Sequence, residues 1–391
     1  MQSLLLSPDE LARALNVRDL TDPTQGPHAT QLVVGMLTEA LQARCRNEVR
    51  LIRAHPLVPV EDNYERLGYP PDAVTRDARY TRYASETCML RSHTSAMIPP
   101  ALRALAGDQG WNDVLLACAG VVYRRDVVDR IHTGTPHQLD LWRIVRGRPM
   151  GLPMGTDDLD EMIDTVVRAV LPDAPYRTVP AVHPYTTGGR QIDVQVGDEW
   201  IELAECGLAA PQVLARAGLG PETTGLAMGL GLDRLLMLRK RIPDIRLLAA
   251  ADPRIAGQML DLAPYRPVSK HPPIARDLSV AVAADADAET LGGTVRDALG
   301  GDTAGGDTVG HDAIEEVRVI SETPVEDLPP AAVERLGARP GQKNVLLRIV
   351  LRDPARTLSD AEANVLRDRV YAAVHQGTAR QWATEQRATE Q

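Results

Sequence analysis

The chain has 391 residues, 44% hydrophobic and 25% charged, with a formal net charge of −10 and no phenylalanine within an aromatic content of 3%. These values predict two or three globular domains with aliphatic cores, and they argue against a nonspecific nucleic-acid binder without excluding a local basic groove. No apolar run reaches the roughly 18 residues of a bilayer span, the opening MQSLLLSPDE lacks a signal peptide's basic start, and the four cysteines form no CxxC or metal-spaced cluster, so a cytoplasmic chain with reduced thiols and no membrane partner is expected.

Residues 7–16 are predicted as a short helix with Ser7 and Asp9 near its start. Apolar residues at helical spacing predict a longer amphipathic helix over 29–53. Residues 56–83 are polar and contain proline and tyrosine, which predicts loop with short elements. Over 89–200, β-like runs such as GVVYR and LDLWRIV alternate with a helix near 159–171. WIELAECG followed by GLAMGLGLDRLLMLRKR predicts strand, strand and helix. A proline-rich linker covers 261–273. Beyond it, strands are expected at DLSVAVA, IEEVRVIS and NVLLRIVLR, with helices near 289–299 and 359–375. The repetitive end, GTARQWATEQRATEQ, is expected to fray.

Two stretches carry chemistry. In GLAMGLGLDRLLML, residues 225–238, strand glycines such as Gly229 and Gly231 permit close approach of a ligand. Arg234 falls in the first turn of the following helix, where free amides and the helix dipole already favour phosphate. The same pattern also fits a tightly packed strand and helix. In GVVYRRDVVDRIHTGTPHQLDLW, residues 120–142, Arg124 and Asp126 alternate on an outgoing strand as Gln138 and Asp140 do on the return. Four polar residues on one face are costly without a ligand, unless the hairpin is a solvated edge.

Together these stretches resemble motifs two and three of the class II aminoacyl-tRNA synthetases, and specifically the phenylalanyl-tRNA synthetases. MLRSHTSA (89–96) resembles that family's amino-acid-binding segment, WIELAECG its strand ending in Gly-Cys-Gly, and IPDIRLL the sequence after motif three. KHPPIARDLSVAV and LLRIVLRDPARTLSDAE resemble the ferredoxin-like anticodon-binding domain of single-chain, organelle-type members. No motif one is clear enough to place a dimer interface. The resemblance implies an α/β (α+β) architecture: a class II antiparallel sheet flanked by helices over 1–262, a ferredoxin-like α+β domain over 263–378 and a flexible tail over 379–391. It implies ATP and Mg²⁺, an amino-acid substrate, a tRNA partner expected to be the phenylalanine tRNA, and a monomer or small homo-oligomer.

Carried to this sequence, the resemblance gives Arg124 the α-phosphate and the attacking carboxylate, and Arg234 the γ-phosphate and one face of adenine. Asp126 would accept from the adenine amino group, and His132 would approach the phosphates or the tRNA end. Glu202 would be a Mg²⁺ ligand, although an outward strand carboxylate fits as well. His93, Ser95, Gln138, Asp140 and Ala227 would surround the amino acid. The departures are specific. Pro136 stands where the family stacks phenylalanine on adenine, and Asp140 replaces a glutamate. His183 and Tyr185 replace the two rings that hold the substrate's phenyl group, and the Gly-Cys-Gly turn becomes Glu205-Cys206-Gly207. Polar groups here need partners that a bare phenyl ring lacks. Three outcomes stay open: a phenylalanine ligase, a paralogue that charges a polar or substituted phenylalanine or gives analogue resistance, and a protein that no longer charges tRNA and instead adenylates an amino acid for biosynthesis or binds tRNA as a regulator. Phenylalanine is also missing at sites remote from substrate, which points to avoidance of the residue itself.

Overall fold

The computed structural model describes residues 5–77, 80–124, 129–147, 152–268, 271–299, 313–353 and 356–379. They divide into two compact units. The first holds α1 (Pro8–Leu15), α2 (Ala29–Cys45), β1 (Glu48–Ile52), β2 (Leu57–Pro59), α3 (Val60–Asn63), β3 (Cys88–Leu90), α4 (Ile98–Gly107), β4 (Asp113–Val121) and β5 (His137–Arg146). It continues with α5 (Thr156–Val170), β6 (Tyr176–Pro180), β7 (Thr186–Val196), β8 (Glu199–Ala209), α6 (Pro211–Arg216), β9 (Thr223–Gly231) and α7 (Leu232–Lys240). Seven strands form one sheet in the order β1-β4-β5-β9-β8-β7-β6. Only β1 runs parallel to its neighbour in that sheet. The β4–β5 hairpin is interior, so the solvated-edge reading of its polar residues does not hold.

The helix expected over 29–53 ends at Cys45. Arg46 caps it in the left-handed region (φ 54°), and the chain turns into β1, which pairs with β4. Helix α1 starts as expected, with a reciprocal capping box between Ser7 and Glu10. On one face of the sheet, Trp142 and Ile144 of β5 join Val114, Leu116 and Cys118 of β4 and Ala227 of β9. Ile98, Leu102 and Leu105 of α4 and Leu214 of α6 close that core.

A chain without phenylalanine must satisfy a polar tip on every aromatic it buries, because tyrosine and tryptophan carry one. Tyr64 donates to the Thr75 carbonyl (2.8 Å), Tyr123 to the Ala14 carbonyl (3.0 Å) and Trp111 to the Leu105 carbonyl (2.9 Å). Arg91 is buried in the same unit, with Nε on the Val121 carbonyl (2.8 Å) and Nη1 on the Ala54 carbonyl (2.8 Å). Gly120 is required there, since a Cβ would lie 2.1 Å from Arg91 Nη2. Lys240 is fully buried at the end of α7 and donates to the Asp261 carboxylate and to the carbonyls of Asp261 and Ala263. The first part of the expected linker is thereby fastened to the first unit.

Among the described residues, the second unit holds 129–134 and 243–256, including α8 (Pro253–Ala256), and those from Arg266 onward. It contains β10 (Ile274–Ala283), α9 (Ala288–Leu299), β11 (Ile314–Pro324), α10 (Pro330–Leu336), β12 (Gln342–Leu351) and α11 (Asp360–Val374). The strands form an antiparallel sheet in the order β10-β12-β11. Strand alternation buries Val345, Leu347, Ile349 and Leu351 against Leu291 and Val295 of α9 and Leu366 and Val370 of α11. After α11 the Gln376 amide donates to the Ala281 carbonyl (2.8 Å) on the open edge of β10. Lys270 and residues 380–391, most of the expected tail, lie outside the described residues.

Candidate active site

Strand register builds the floor of the site. Asp140 of β5 pairs with Gly229 of β9, which pairs with Glu205 of β8. Two positions along, Trp142, Ala227 and Gly207 form a second row. Partners directly across a sheet share a face, so Gly229, Ala227 and Gly207 make a trough with Asp140 and Trp142 on one bank and Glu205 on the other. The smallness of Gly207 is imposed by close approach, since a Cβ would sit 2.7 Å from Thr186 Cβ. Glu205, Cys206 and Gly207 lie within β8, so the turn expected there is a strand.

Asp140 is buried, 2% exposed, and accepts from Thr94 Oγ1 (2.6 Å), Ser95 Oγ (2.8 Å) and Trp142 Nε1 (3.3 Å). Burial raises its pKa, and those donors and Arg124 oppose the rise. The Thr94 amide donates to Gln138 Oε1 (3.3 Å), so His93, Ser95, Gln138 and Asp140 converge as expected. His93 is enclosed as well: Asn63 Nδ2 lies 3.4 Å from its Nε2, and its Nδ1 is buried without a hydrogen bond. An amide nitrogen only donates, which leaves the ring proton on Nδ1.

Burial and the Arg124 charge lower the His93 pKa from 6.5 to about 3. The unfolded chain therefore takes up this proton below 6.5 while the folded chain resists it down to about 3. His93 leaves stability unchanged above that window and reduces it as pH falls through it. Melting temperatures of wild type and His93→Gln should run parallel above pH ~6.5 and converge as pH falls toward ~5, wild type losing more. Parallel curves throughout would show that His93 does not titrate this way.

An aromatic wall rises over the trough. Tyr69 stacks on His93 (5.7 Å between centroids) and meets Tyr185 at 6.3 Å, while Tyr185 stacks on His183 (5.7 Å) and tilts against Trp142 (6.0 Å). His183 Nδ1 lies 3.1 Å from Thr186 Oγ1. His183 Nε2 is 3.3 Å from Glu205 Oε1 but makes no aligned hydrogen bond. His183, with burial opposing, holds the Glu205 carboxyl below its usual range.

Arg124 lies three residues beyond the end of β4, outside the strand in which alternation had been expected to place it. Its Nε donates to the Ser92 carbonyl (2.8 Å), which turns the guanidinium toward His93, Asp140 and Glu205. Arg234 is the third residue of α7, as expected, and its Nη1 donates to the Glu202 carbonyl (3.3 Å). Glu202 itself is exposed on β8, beside a bulge that sets Leu203 between the Asp193–Glu202 and Ile192–Ala204 pairs. Pro136 accepts from the Val122 amide (2.8 Å) and extends the hairpin ladder. His132 belongs to the second unit, where its Nδ1 lies 2.7 Å from Asp129, and Asp126 lies outside the described residues.

Sequence reasoning missed Tyr69 and Asn63, which come from a segment read as loop, and, inside the stretches that it did single out, Thr94 and Trp142. It also missed the pair that registers motif two on motif three. The His137 amide and Nδ1 donate to Asp233, at 2.8 and 3.0 Å, while Nε2 accepts from the Leu20 amide (3.0 Å). Asp233 neighbours Arg234, so the start of β5 and the first turn of α7 are locked together.

The class II core domain (F) of the tRNA synthetases matches residues 46–259, and the chain belongs to that family. Similar chains include phenylalanine–tRNA ligases. The alpha subunit from Nostoc punctiforme is 34% identical over 50% of this chain and 56% of its own length. The chloroplastic/mitochondrial enzyme of Arabidopsis thaliana is 28% identical over 81% of this chain and 68% of its own. The chain thus spans little more than half the length of the alpha-subunit relatives it matches. Among solved structures, the pyrrolysyl tRNA synthetase PylSc of Desulfitobacterium hafniense is 18% identical, with a TM-score of 0.43 over 57% of this chain and 74% of that one.

Proposed function

We propose that the chain is an aminoacyl-tRNA ligase of the phenylalanyl type. The carboxylate of an aromatic amino acid attacks the α-phosphate of ATP to give the aminoacyl-adenylate and pyrophosphate, and the acyl group then passes to a tRNA hydroxyl with AMP as the leaving group, the phenylalanine tRNA being the expected acceptor. The observation that carries this reading is the convergence of Arg124 on a buried Asp140–Ser95–Thr94 pocket floored by Gly229 and Ala227. Asp140 receives the substrate ammonium group. Arg124 draws the carboxylate and α-phosphate together and offsets the charge that gathers there as the new bond forms. Asp126 accepts from the adenine amino group, and Pro136 offers it a flat apolar face.

Arg234, with the open amides at the start of α7, holds the terminal phosphates, and a planar guanidinium also suits the adenine face. Glu202, exposed on β8 with its carbonyl receiving Arg234, would be a ligand of a Mg²⁺ that takes its other ligands from phosphate and water. That ion would shield phosphate charge. From β10 to α11 the order is β-α-β-α-β-α with the first strand beside the third, and apart from the seven-residue α10 inserted between β11 and β12 it follows the β-α-β-β-α succession of a ferredoxin-like fold, which supports the anticodon-binding reading. Four unpaired cysteines support a cytoplasmic setting, and no helix among the described residues is long and apolar enough to cross a membrane. A monomer or small homo-oligomer is proposed. Arg234→Ala should lower amino-acid-dependent ATP–pyrophosphate exchange by about 10²-fold, mainly by raising the KM for ATP. Unchanged exchange would sink the phosphate assignment.

A further inference from the structure

The trough has a carboxylate at each end, and the second is unexplained by a hydrocarbon side chain. Asp140 and Glu205 stand two strands apart on one face with only the hydrogen of Gly229 between them, a span of about 10 Å at ordinary strand spacing. An aromatic amino acid lying over Gly229 with its ammonium group on Asp140 brings the far edge of its ring toward Glu205. Tyr69, Trp142, His183 and Tyr185 form a continuous chain of ring contacts, to which Trp142 belongs from the bank of the trough that carries Asp140. Glu205 is half-exposed toward the trough and ionised, so it can only accept hydrogen bonds. Behind it, His183 is 8% exposed and its Nε2 makes no aligned hydrogen bond. A plain phenyl ring would desolvate this pair and return nothing.

From this geometry we infer that the site selects an aromatic amino acid whose ring carries a hydrogen-bond donor, a phenol hydroxyl or aryl amine at the meta or para position, received by Glu205 and steadied by His183. The inference rests on the ligase reading and narrows its substrate. Glu205 is then a specificity-determining residue, and Thr186 positions His183 through Nδ1 (3.1 Å).

The test is ATP–pyrophosphate exchange by the full chain with L-tyrosine, meta-tyrosine, 4-aminophenylalanine, 4-methylphenylalanine, phenylalanine, lysine and arginine. The best donor-bearing ring should exceed phenylalanine and 4-methylphenylalanine by about 10²-fold in kcat/KM, less than a fully enclosed polar site achieves because Glu205 is half-exposed. Glu205→Gly should abolish most of that preference, and the shape-conserving Glu205→Gln should reduce it about tenfold. Phenylalanine or 4-methylphenylalanine performing as well as the donor-bearing rings would overturn the inference and leave the ligase reading intact. So would lysine or arginine performing best, or a preference that survives in both variants. Absence of exchange with any amino acid would overturn the ligase reading and this inference together. The wild-type panel decides the matter even if a variant fails to fold.

Discussion

Replacing Arg124 with alanine is expected to lower ATP–pyrophosphate exchange by about 10³-fold, with the loss in kcat. One described hydrogen bond holds the guanidinium, Nε to the Ser92 carbonyl. Its charge acts on His93, Asp140 and Glu205 alike, and on the proposed reading the amino acid's carboxylate and the α-phosphate meet beside it. Two anions brought together there repel until a cation bridges them, and the bridge strengthens as charge accumulates in the transition state. Arg124→Lys should recover little, because a point charge cannot span both oxygens as a planar fork does. Melting temperature should barely change, since Arg124 is only partly buried and makes one described hydrogen bond. Exchange near the wild-type rate would remove Arg124 from the transition state.

What could be read beforehand follows from how far each feature depends on distant chain. Strand alternation is local, so Gln138 and Asp140 were found, and the strand at NVLLRIVLR is β12. Arg234 was legible because a glycine-rich strand running into a helix fixes which turn it occupies. Strand β1 was hidden because its apolar residues continue the spacing of α2. The break is a left-handed Arg46, where glycine would have marked the end. Tyr69 was illegible for a different reason. Its neighbours His93 and Tyr185 are 24 and 116 residues away, and nothing near Tyr69 announces them. His137 and Asp233, 96 residues apart, fall in the same category. Arg124 was assigned to the right region with the wrong backbone, since β4 ends at Val121 and the side chain reaches the site from beyond the strand.

Asp140 carries the second large effect, and its sign on stability runs opposite to its sign on function. Asp140→Asn should lower kcat/KM for the amino acid by about 10²- to 10³-fold while the KM for ATP holds, the loss expected when one member of a buried charge pair is neutralised. The shape survives: an asparagine oxygen still accepts from Ser95 and Trp142, and the Thr94 hydroxyl can reverse and accept from the new amide. Stability follows from the raised pKa. In the unfolded chain the carboxyl ionises near its ordinary 3.8, whereas in the folded chain burial delays ionisation to higher pH. The folded state therefore holds the proton more tightly, and stability falls as pH rises through the interval between the two values. At neutral pH the full penalty of a buried carboxylate is present, and asparagine relieves it. Asp140→Asn should melt no lower than wild type at pH ~7, and its advantage should shrink as pH is lowered toward ~4. An asparagine variant that lost activity together with several degrees of melting temperature at neutral pH would instead make Asp140 a structural anchor for Thr94 and Ser95. A selective loss would mean that the site keeps a destabilising charge in place to meet a charged substrate.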